Sequence, residues 1–263
     1  MVGYLARLPF SVRTLQAICL LAAIGFLILR PSEIYLLSYG FLVYAVFLIF
    51  GVAIGYHRGL SHRLLDLDSP LAWFSLAVGT LTSLGKPVEW ALIHRLHHQH
   101  SDETADPHSP AQQGFWTVFL NRWRLSPETA KPRLSLVRDL VSSKNVQFFQ
   151  KRYYLVIALY VLVLALAAGL PGVIFGYCWP VVLSVLATSL VNSVCHTGGV
   201  PRDSFWITLF TFGEGIHGRH HLEPKTINLS YAQYFDLSGW LLAKLSVRHE
   251  GVAWATRRKN PKQ

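Results

Sequence analysis

Acidic residues are scarce in this chain of 263 residues, which has 14 aspartates and glutamates against 24 lysines and arginines. All charged residues together make up only 14%, whereas hydrophobic residues make up 52%. Soluble domains contain about 25% charged residues, so this composition excludes an ordinary soluble protein and indicates a membrane protein. The length predicts a single domain over residues 1–263, without room for a fused cofactor module.

Cysteine is also scarce. Cys19, Cys178 and Cys195 lie in apolar runs and form no CxxC pair, which excludes a disulfide framework and a zinc ribbon. No HExxH motif is present, which argues against a membrane zinc protease. The net charge of +10 does not predict a nucleic-acid partner, because the basic residues flank apolar segments.

Histidine is the residue that stands out. The chain has 12 histidines, and nine of them fall in four places: His57 and His62; His94, His97 and His98; His196; and His217, His220 and His221. The two triplets share the spacing i, i+3, i+4, which places their imidazoles on one face of a helix. His100 is an additional histidine that we interpret as solvated or as a neighbour of the ligands.

These clusters predict a metal centre with more than one metal. Protonated together the imidazoles would repel one another, and unpaired they would be costly to bury. Neutral imidazole is a good ligand for iron, zinc, copper and nickel, and nine imidazoles exceed what one metal takes. The scarcity of carboxylates excludes the soluble di-iron bundle, which uses four glutamates and two Glu-x-x-His motifs. Asp102, Glu103, Asp106 and Glu214 are candidates to accept the imidazole N–H groups instead.

Long apolar runs predict four membrane crossings, at about residues 14–29, 34–56, 153–169 and 172–195. The turn Gly169-Leu170-Pro171-Gly172 would separate the last two. Between the second and third crossings, Ser69–Gly85 is a weaker apolar run, which we expect either to enter and return or to lie along the interface. Gln112–Trp123 has the spacing of an amphipathic helix on the membrane surface. The fold class is therefore all-α integral membrane: four transmembrane helices with a cytosolic helical cap that carries the metal site.

The positive charges predict the orientation. Of the 24 lysines and arginines, only Arg30 would fall on the side opposite the histidines. This makes the histidine side and both termini cytoplasmic, with a bacterial inner membrane favoured over the endoplasmic reticulum. The basic tail after Val252 is interpreted as a solvated end near anionic lipid.

Four segments resemble the histidine boxes of the membrane fatty-acyl desaturases, especially the stearoyl-CoA (delta-9) type. They are HRGLSH, HRLHH followed by SDETADPH, NSVCH and GEGIHGRHH, in order from about Gly55 to the tail. The resemblance implies that all nine clustered histidines are ligands of two non-haem iron ions. It also implies that Asn192 reaches one iron through water and that Asp106-Pro107-His108 and Gly213-Glu214-Gly215 belong to the site. We expect Asp102, Asp106, His108 and Glu214 to contact the ligands.

The resemblance implies an oxygen-dependent enzyme that introduces a double bond into an acyl chain. The substrate would be an acyl-CoA, an acyl carrier protein thioester or a lipid. There is no cytochrome b5 segment or flavin fingerprint, so a separate donor such as a ferredoxin or cytochrome b5 is expected. The basic cytosolic face around Arg138, Lys144, Lys151 and Arg152 would receive an acidic donor or the phosphates of CoA, or would simply obey the topology rule.

The boxes also depart from the family pattern. Gly59-Leu60 stands where Leu-Trp is usual, Gly218-Arg219 replaces an asparagine-containing pair, and Leu222-Glu223 replaces an aromatic before the proline. These changes spare the ligands but leave the carrier and the regiochemistry open. A hydroxylase or acetylenase of the same architecture is an alternative. A non-catalytic membrane metal or haem protein is an alternative from another class.

Overall fold

The computed structural model describes residues 10–122 and 134–249. Within these residues the secondary structure is helical, and the only β-type pairing is an isolated bridge between Tyr231 and Tyr234. This confirms the predicted all-helical class. The two described ranges together contain every predicted site residue, whereas Trp123 and the basic tail after Val252 lie outside the described residues.

The elements follow one another with short connections. The first part of the chain contains α1 (Phe10–Leu29), a 3₁₀ turn (Pro31–Leu36), α2 (Leu37–Val46), a π-helix (Phe47–Ser61), α3 (Pro70–Leu81), α4 (Pro87–Gln99), α5 (Pro110–Gln113) and α6 (Phe115–Phe119). The second part contains a 3₁₀ turn (Leu134–Val137), α7 (Arg138–Ser142), α8 (Lys144–Val173), a short π segment (Ile174–Cys178), α9 (Trp179–Val194), α10 (Phe205–Phe210), α11 (His217–Leu222) and α12 (Leu237–His249).

Three helical runs among the described residues are long and apolar enough to cross a membrane. They are Ser11–Leu29, Pro31–Ser61 and Lys144–Val194, with mean hydropathies of 2.1, 2.3 and 2.5. The first agrees with the predicted crossing 14–29. The second is longer than the predicted 34–56, because the π-helix continues the run past His57 to Ser61. The third contains both of the remaining predicted crossings, apart from the final residue of the last one.

The third run reverses direction at Gly169. This residue has φ 61° and ψ −153°, a conformation that glycine adopts without the steric cost that a side chain would bring. The two arms then pack together, and Tyr160 donates a hydrogen bond from its hydroxyl to the carbonyl of Gly176 at 3.1 Å. The predicted four-residue turn is therefore shorter in the structure, because Pro171 already lies in the first turn of the returning helix, where proline is tolerated.

The connecting segments differ in part from the predictions. α3 has 12 residues and is therefore about 18 Å long at 1.5 Å per residue. This is too short for a single crossing of roughly 30 Å, which agrees with the prediction that Ser69–Gly85 does not cross the membrane once. It packs closely along the π-helix, where a Cβ on Gly51 would lie 2.8 Å from the nitrogen of Gly79.

The prediction of a single amphipathic helix over Gln112–Trp123 is wrong. The chain leaves helical geometry at Gly114 (φ 87°), which separates the short helices α5 and α6.

Candidate metal centre

The nine clustered histidines lie together in two groups. The five-histidine group contains His57, His62, His94, His98 and His220, and the four-histidine group contains His97, His196, His217 and His221. Within each group the nearest ring nitrogens all lie within 4.8 Å of one another. The structure therefore brings together all nine residues that the sequence selected, and it divides them between two positions.

The helices α4 and α11 each serve both groups. On α4 the i, i+4 pair His94 and His98 belongs to the five-histidine group, whereas His97 belongs to the other. On α11 the assignment is reversed: His217 and His221 belong to the four-histidine group, and His220 belongs to the five-histidine group. One sequence box therefore does not correspond to one metal position. Both predicted triplets do lie on helices, as their spacing indicated.

The π-helix positions the first pair of histidines. Its hydrogen bonds join residues five apart, and the amide of His62 donates to the carbonyl of His57 at 3.1 Å. Residues five apart therefore lie one above the other, and the two rings are 4.9 Å apart. Such π turns occur mainly at functional sites. His196 follows α9 by two residues, in the turn that leaves the last apolar run.

The Nε2 atoms converge within each group. In the five-histidine group the Nε2 atoms of His57 and His220 are 2.9 Å apart, and those of His62 and His94 are 3.0 Å apart. In the four-histidine group His196 and His217 are 2.8 Å apart, and His217 and His221 are 3.1 Å apart. Metal–imidazole bonds of roughly 2.0–2.1 Å bring neighbouring ligand nitrogens to about 3 Å from one another.

Carboxylates hold the opposite nitrogens of three rings. His97 Nδ1 lies 2.9 Å from Asp106 Oδ2, His196 Nδ1 lies 2.8 Å from Asp102 Oδ2, and His57 Nδ1 contacts Glu214. Since an ionised carboxylate only accepts, each Nδ1 carries the proton, and the Nε2 of the same ring presents a lone pair to its neighbours. Converging lone pairs repel unless a cation lies between them. The residues therefore fit a pair of metal ions.

His108 and Asn192 lie beside the groups. The ring of His108 packs on that of His97 with centroids 4.3 Å apart, and a carboxylate oxygen of Asp106 lies within 4.8 Å of a ring nitrogen of each. Asn192 lines a small cavity of about 40 Å³ together with His57, His94 and His217. The remaining walls include Leu48, Val52, Ala187 and Val191, so the cavity joins the histidines to an apolar interior.

Two predicted neighbours are placed elsewhere. Glu103 is largely exposed and lies 3.5 Å from the Nδ1 of His100, so its predicted role beside the ligands is wrong. His100 belongs to neither histidine group among the described residues. His100 follows the last residue of α4, Gln99, so it does not share the ligand face of the helix.

Burial opposes protonation of seven of the site histidines. It lowers the pKa values of His62, His94, His97, His217 and His220 well below 6.5, and neighbouring imidazoles lower them further. For His98 the same causes lower the pKa to about 3, and for His221 to about 2. Burial opposes ionisation of Glu214, but His57 and Arg58 outweigh it and lower its pKa to about 2. Neutral rings with ionised acceptors are the state that binds a metal.

Sequence reasoning missed two residues of this site, Arg58 and Asp236. Arg58 donates to Glu214 Oε1 at 2.6 Å and to Asp236 Oδ2 at 2.7 Å, and Asp236 is fully buried. Arg58 follows His57 directly, but a basic residue at the end of an apolar run is ordinarily read as a topology signal. Asp236 carries no local signal, because it lies 178 residues from its partner.

A second, wider cleft also reaches the two groups. This cleft of about 950 Å³ reaches His98 of one group and His221 of the other. Arg202, Arg219 and Tyr231 also line it, and the guanidinium of Arg219 lies 5.0 Å from the centroid of the Tyr231 ring. Both histidine groups therefore contact this cleft, which carries two arginines, as well as the small apolar cavity.

The chain is similar to known desaturases. Residues 34–251 match the family model described as fatty acid desaturase. Over 192 residues the chain is 34% identical to an sn-1 stearoyl-lipid 9-desaturase of Synechocystis, covering 69% of this chain and 59% of that protein. It is 32% identical over 192 residues to an acyl-CoA C20 Delta5-desaturase of Anemone leveillei, covering 69% and 61%.

A third relative is an sn-1 stearoyl-lipid 9-desaturase of Anabaena variabilis, 35% identical over 183 residues, which cover 65% of each protein. The matches thus span between 59% and 65% of the length of these three relatives. The family model covers far more than half of the chain and includes all nine clustered histidines. The chain therefore belongs to the fatty acid desaturase family.

Proposed function

We propose that this protein is an oxygen-dependent membrane fatty-acyl desaturase with a histidine-ligated di-iron centre. The observation that carries the proposal is the convergence of nine imidazole rings into two groups. The Nε2 atoms of His196 and His217 are 2.8 Å apart, and those of His57 and His220 are 2.9 Å apart. Family membership adds the reaction class. All four predicted boxes contribute to the two groups.

The five-histidine group would hold one iron and the four-histidine group the other, with Asn192 reaching one of them through water. Bound iron would supply the activation of oxygen that removal of two hydrogens from an acyl chain requires. Asp102, Asp106 and Glu214 hold the imidazole protons at Nδ1, which keeps each Nε2 available as a ligand.

The aliphatic walls of the small cavity would contact the reacting part of the acyl chain, because a volume of about 40 Å³ has room for only a short part of it. These walls bring aliphatic side chains such as Leu48 and Val191 next to His57 and His94. An apolar wall excludes water and positions one part of the chain beside the site, which is the protein's main contribution to such a reaction. The relatives include proteins named for acyl-lipid and for acyl-CoA substrates, so both carriers, and an acyl carrier protein, are candidates. We propose delta-9-like specificity from the box resemblance.

We further propose four crossings with the histidine side cytoplasmic. The reversal at Gly169 supports this count, because it divides the third apolar run into two arms, and the first arm leaves helical geometry at Arg152, just before the predicted crossing 153–169. A separate electron donor, of ferredoxin or cytochrome b5 type, would reach the centre from the cytoplasm. Reporter fusions after Pro31 and after Leu67 test the layout: opposite sides are expected, and the same side for both would contradict it.

The haem alternative is disfavoured by the site geometry. Two axial imidazoles of a haem lie on opposite faces of the macrocycle, with their nitrogens about 4 Å apart at metal–nitrogen bonds of roughly 2 Å. Here the Nε2 atoms of His62 and His94 are 3.0 Å apart, so no porphyrin plane fits between them. A hydroxylase or acetylenase remains the alternative within the family architecture, because it would use the same ligands.

The deciding experiment is acyl-chain profiling of cells that express the protein, against cells that express His97→Ala. The matched control is His100→Ala, since His100 belongs to neither histidine group among the described residues. Unsaturated chains are expected with the wild type and with His100→Ala, and not with His97→Ala. Hydroxylated chains without new double bonds would replace the desaturase proposal with the hydroxylase, and stoichiometric haem in the purified protein would remove both.

A further inference from the structure

The carboxylates that hold the ligand histidines are supported by different groups. In the four-histidine group, Asp106 accepts the backbone N–H groups of Asp102 at 2.7 Å and His108 at 2.9 Å. Asp102 accepts the hydroxyl of Ser109 at 2.9 Å. These supporting donors are neutral, and within the described residues neither carboxylate forms an ion pair with a lysine or arginine.

In the five-histidine group the corresponding carboxylate faces a cation. Glu214 contacts His57 through Oε2 and accepts a hydrogen bond from Arg58 through Oε1 at 2.6 Å. The Arg58 side chain is only 2% exposed, so solvent does not screen this contact. The carboxylates of the four-histidine group are therefore supported by neutral donors, whereas the carboxylate of the five-histidine group also accepts a hydrogen bond from an arginine.

Arg58 is held firmly in this place. Its Nη2 donates to Asp236 at 2.7 Å, and its Nε donates to the carbonyl of Ile227 at 3.1 Å. Asp236 is fixed in turn by the amides of Leu229 at 3.0 Å and Gly239 at 2.8 Å. The buried guanidinium therefore donates hydrogen bonds to Glu214, Asp236 and the carbonyl of Ile227, and these contacts fix its position.

A carboxylate that donates electron density to an arginine is a weaker acceptor for another donor. Glu214 therefore polarises the N–H of His57 less than Asp106 and Asp102 polarise those of His97 and His196. A ring whose N–H is more strongly polarised is a more basic ligand at its other nitrogen. The carboxylate-backed ligands of the four-histidine group are accordingly the stronger donors.

We propose that the two metal positions are electronically unequal and separately tuned: Arg58, held by Asp236, weakens the ligand field of the five-histidine position only, while Asp102 and Asp106 strengthen that of the four-histidine position only. Arg58 and Asp236 are positioning residues that act through Glu214 and His57. The inference rests on the proposed di-iron function, because it requires a metal in each group.

The experiment is Mössbauer spectroscopy of the full-length protein loaded with ⁵⁷Fe in detergent, with the iron content measured on the same samples. Two ferric doublets are expected for the wild type. Arg58→Gln should lower the isomer shift of one doublet, because Glu214 becomes a stronger acceptor and His57 a stronger donor. Asp106→Asn should raise the isomer shift of the other doublet. Arg58→Lys keeps a cation beside Glu214 and should restore the wild-type spectrum.

The matched control is Arg95→Gln. Arg95 is also a buried arginine with a carboxylate partner, Asp139 at 2.8 Å, but that carboxylate contacts no histidine of either group. Arg95→Gln should lower the free energy of unfolding and leave the isomer shifts of both doublets unchanged. If Arg58→Gln does not fold, Glu214→Gln tests the same link, because it also removes charge from the acceptor of His57 and should raise the isomer shift of the five-histidine doublet.

Several outcomes would overturn the inference. One is that Arg58→Gln and Asp106→Asn move the same doublet. Others are that Arg58→Gln moves both doublets equally, or that it moves neither while the iron content stays at the wild-type level. These results differ from a failure of the proposed function itself, in which the purified wild type would bind no iron in either group.

Discussion

The first and third apolar runs (Ser11–Leu29 and Lys144–Val194) and the histidine region (residues 57–62, 87–109 and 196–222) are stabilised in opposite ways. Along the runs, large apolar side chains point outward: Leu21 is 71% exposed, Leu29 81% and Leu166 79%. In the histidine region, polar side chains are buried, with His97 1% exposed and Asp106 3%. The runs thus rely on surrounding lipid, whereas the histidine region relies on specific partners. Substitutions should therefore be tolerated very differently in the two regions.

The largest effect is expected for a ligand. His97→Ala removes an Nε2 of the four-histidine group together with the N–H that Asp106 accepts. We therefore expect desaturation to fall below detection and the iron content to fall below two per chain. Product analysis and metal analysis of purified protein check this. Unchanged activity would contradict the ligand assignment of His97 and leave the rest of the group to be tested.

A smaller loss is expected when only the carboxylate is changed. Asp106→Asn keeps the shape of the side chain but removes its charge, and such changes typically lower metal affinity by about 10–100-fold. Competition with a chelator measures the affinity. An unaltered affinity would mean that the contact at 2.9 Å to His97 does not orient the ligand.

Stability should depend on Arg95, which lies on α4 between ligands of the two groups. It contacts the carbonyls of Leu60 and Ser61 at the end of the π-helix and both carboxylate oxygens of Asp139. Arg95→Met should lower the free energy of unfolding by about 2–3 kcal/mol, less than for a fully buried pair because Asp139 is 32% exposed. Arg63→Ala is the comparison, since Arg63 binds the same carboxylate from the surface and should contribute less than about 1 kcal/mol. Equal losses in thermal unfolding would contradict this ranking.

We also expect the contribution of Asp139 to the free energy of unfolding to depend on pH. Burial raises the pKa of Asp139, but the hydrogen bonds from Arg95 and Arg63 outweigh it and lower the pKa from 3.8 to about 2. Because the folded pKa is the lower one, its contribution to stability is present above about pH 4 and is lost as the pH falls toward 2. Thermal unfolding of wild type and Asp139→Asn should therefore differ at neutral pH and converge in acid. A difference that grows on acidification would be of the wrong sign.

The smallest effect is expected in the apolar runs. Leu166→Val exchanges one lipid-facing aliphatic side chain for another, and lipid is as apolar as leucine, so stability should change by less than about 0.5 kcal/mol. Detergent-stability assays alongside Arg95→Met make the comparison directly. A loss as large as that of Arg95→Met would show that this face packs against protein.

The histidines were predictable because their signal is local. A spacing of i, i+3, i+4 places side chains on one face of any helix, and both triplets lie on helices in the structure. The division into five and four was not predictable, because it depends on how α4 and α11 are rotated toward each other. Asp236 was missed for the same reason: only the folded chain brings it to Arg58.

By itself, the sequence determined the helical class, the apolar runs and the identity of the clustered histidines, since composition and short-range spacing follow directly from the order of residues. The tertiary structure alone decided which rings share a position, that the second apolar run continues to Ser61 as a π-helix, and that Arg58 contacts Glu214 but neither Asp102 nor Asp106. These features arise from packing between residues far apart in the chain, where the cost of burying an unpaired charge or lone pair selects one arrangement.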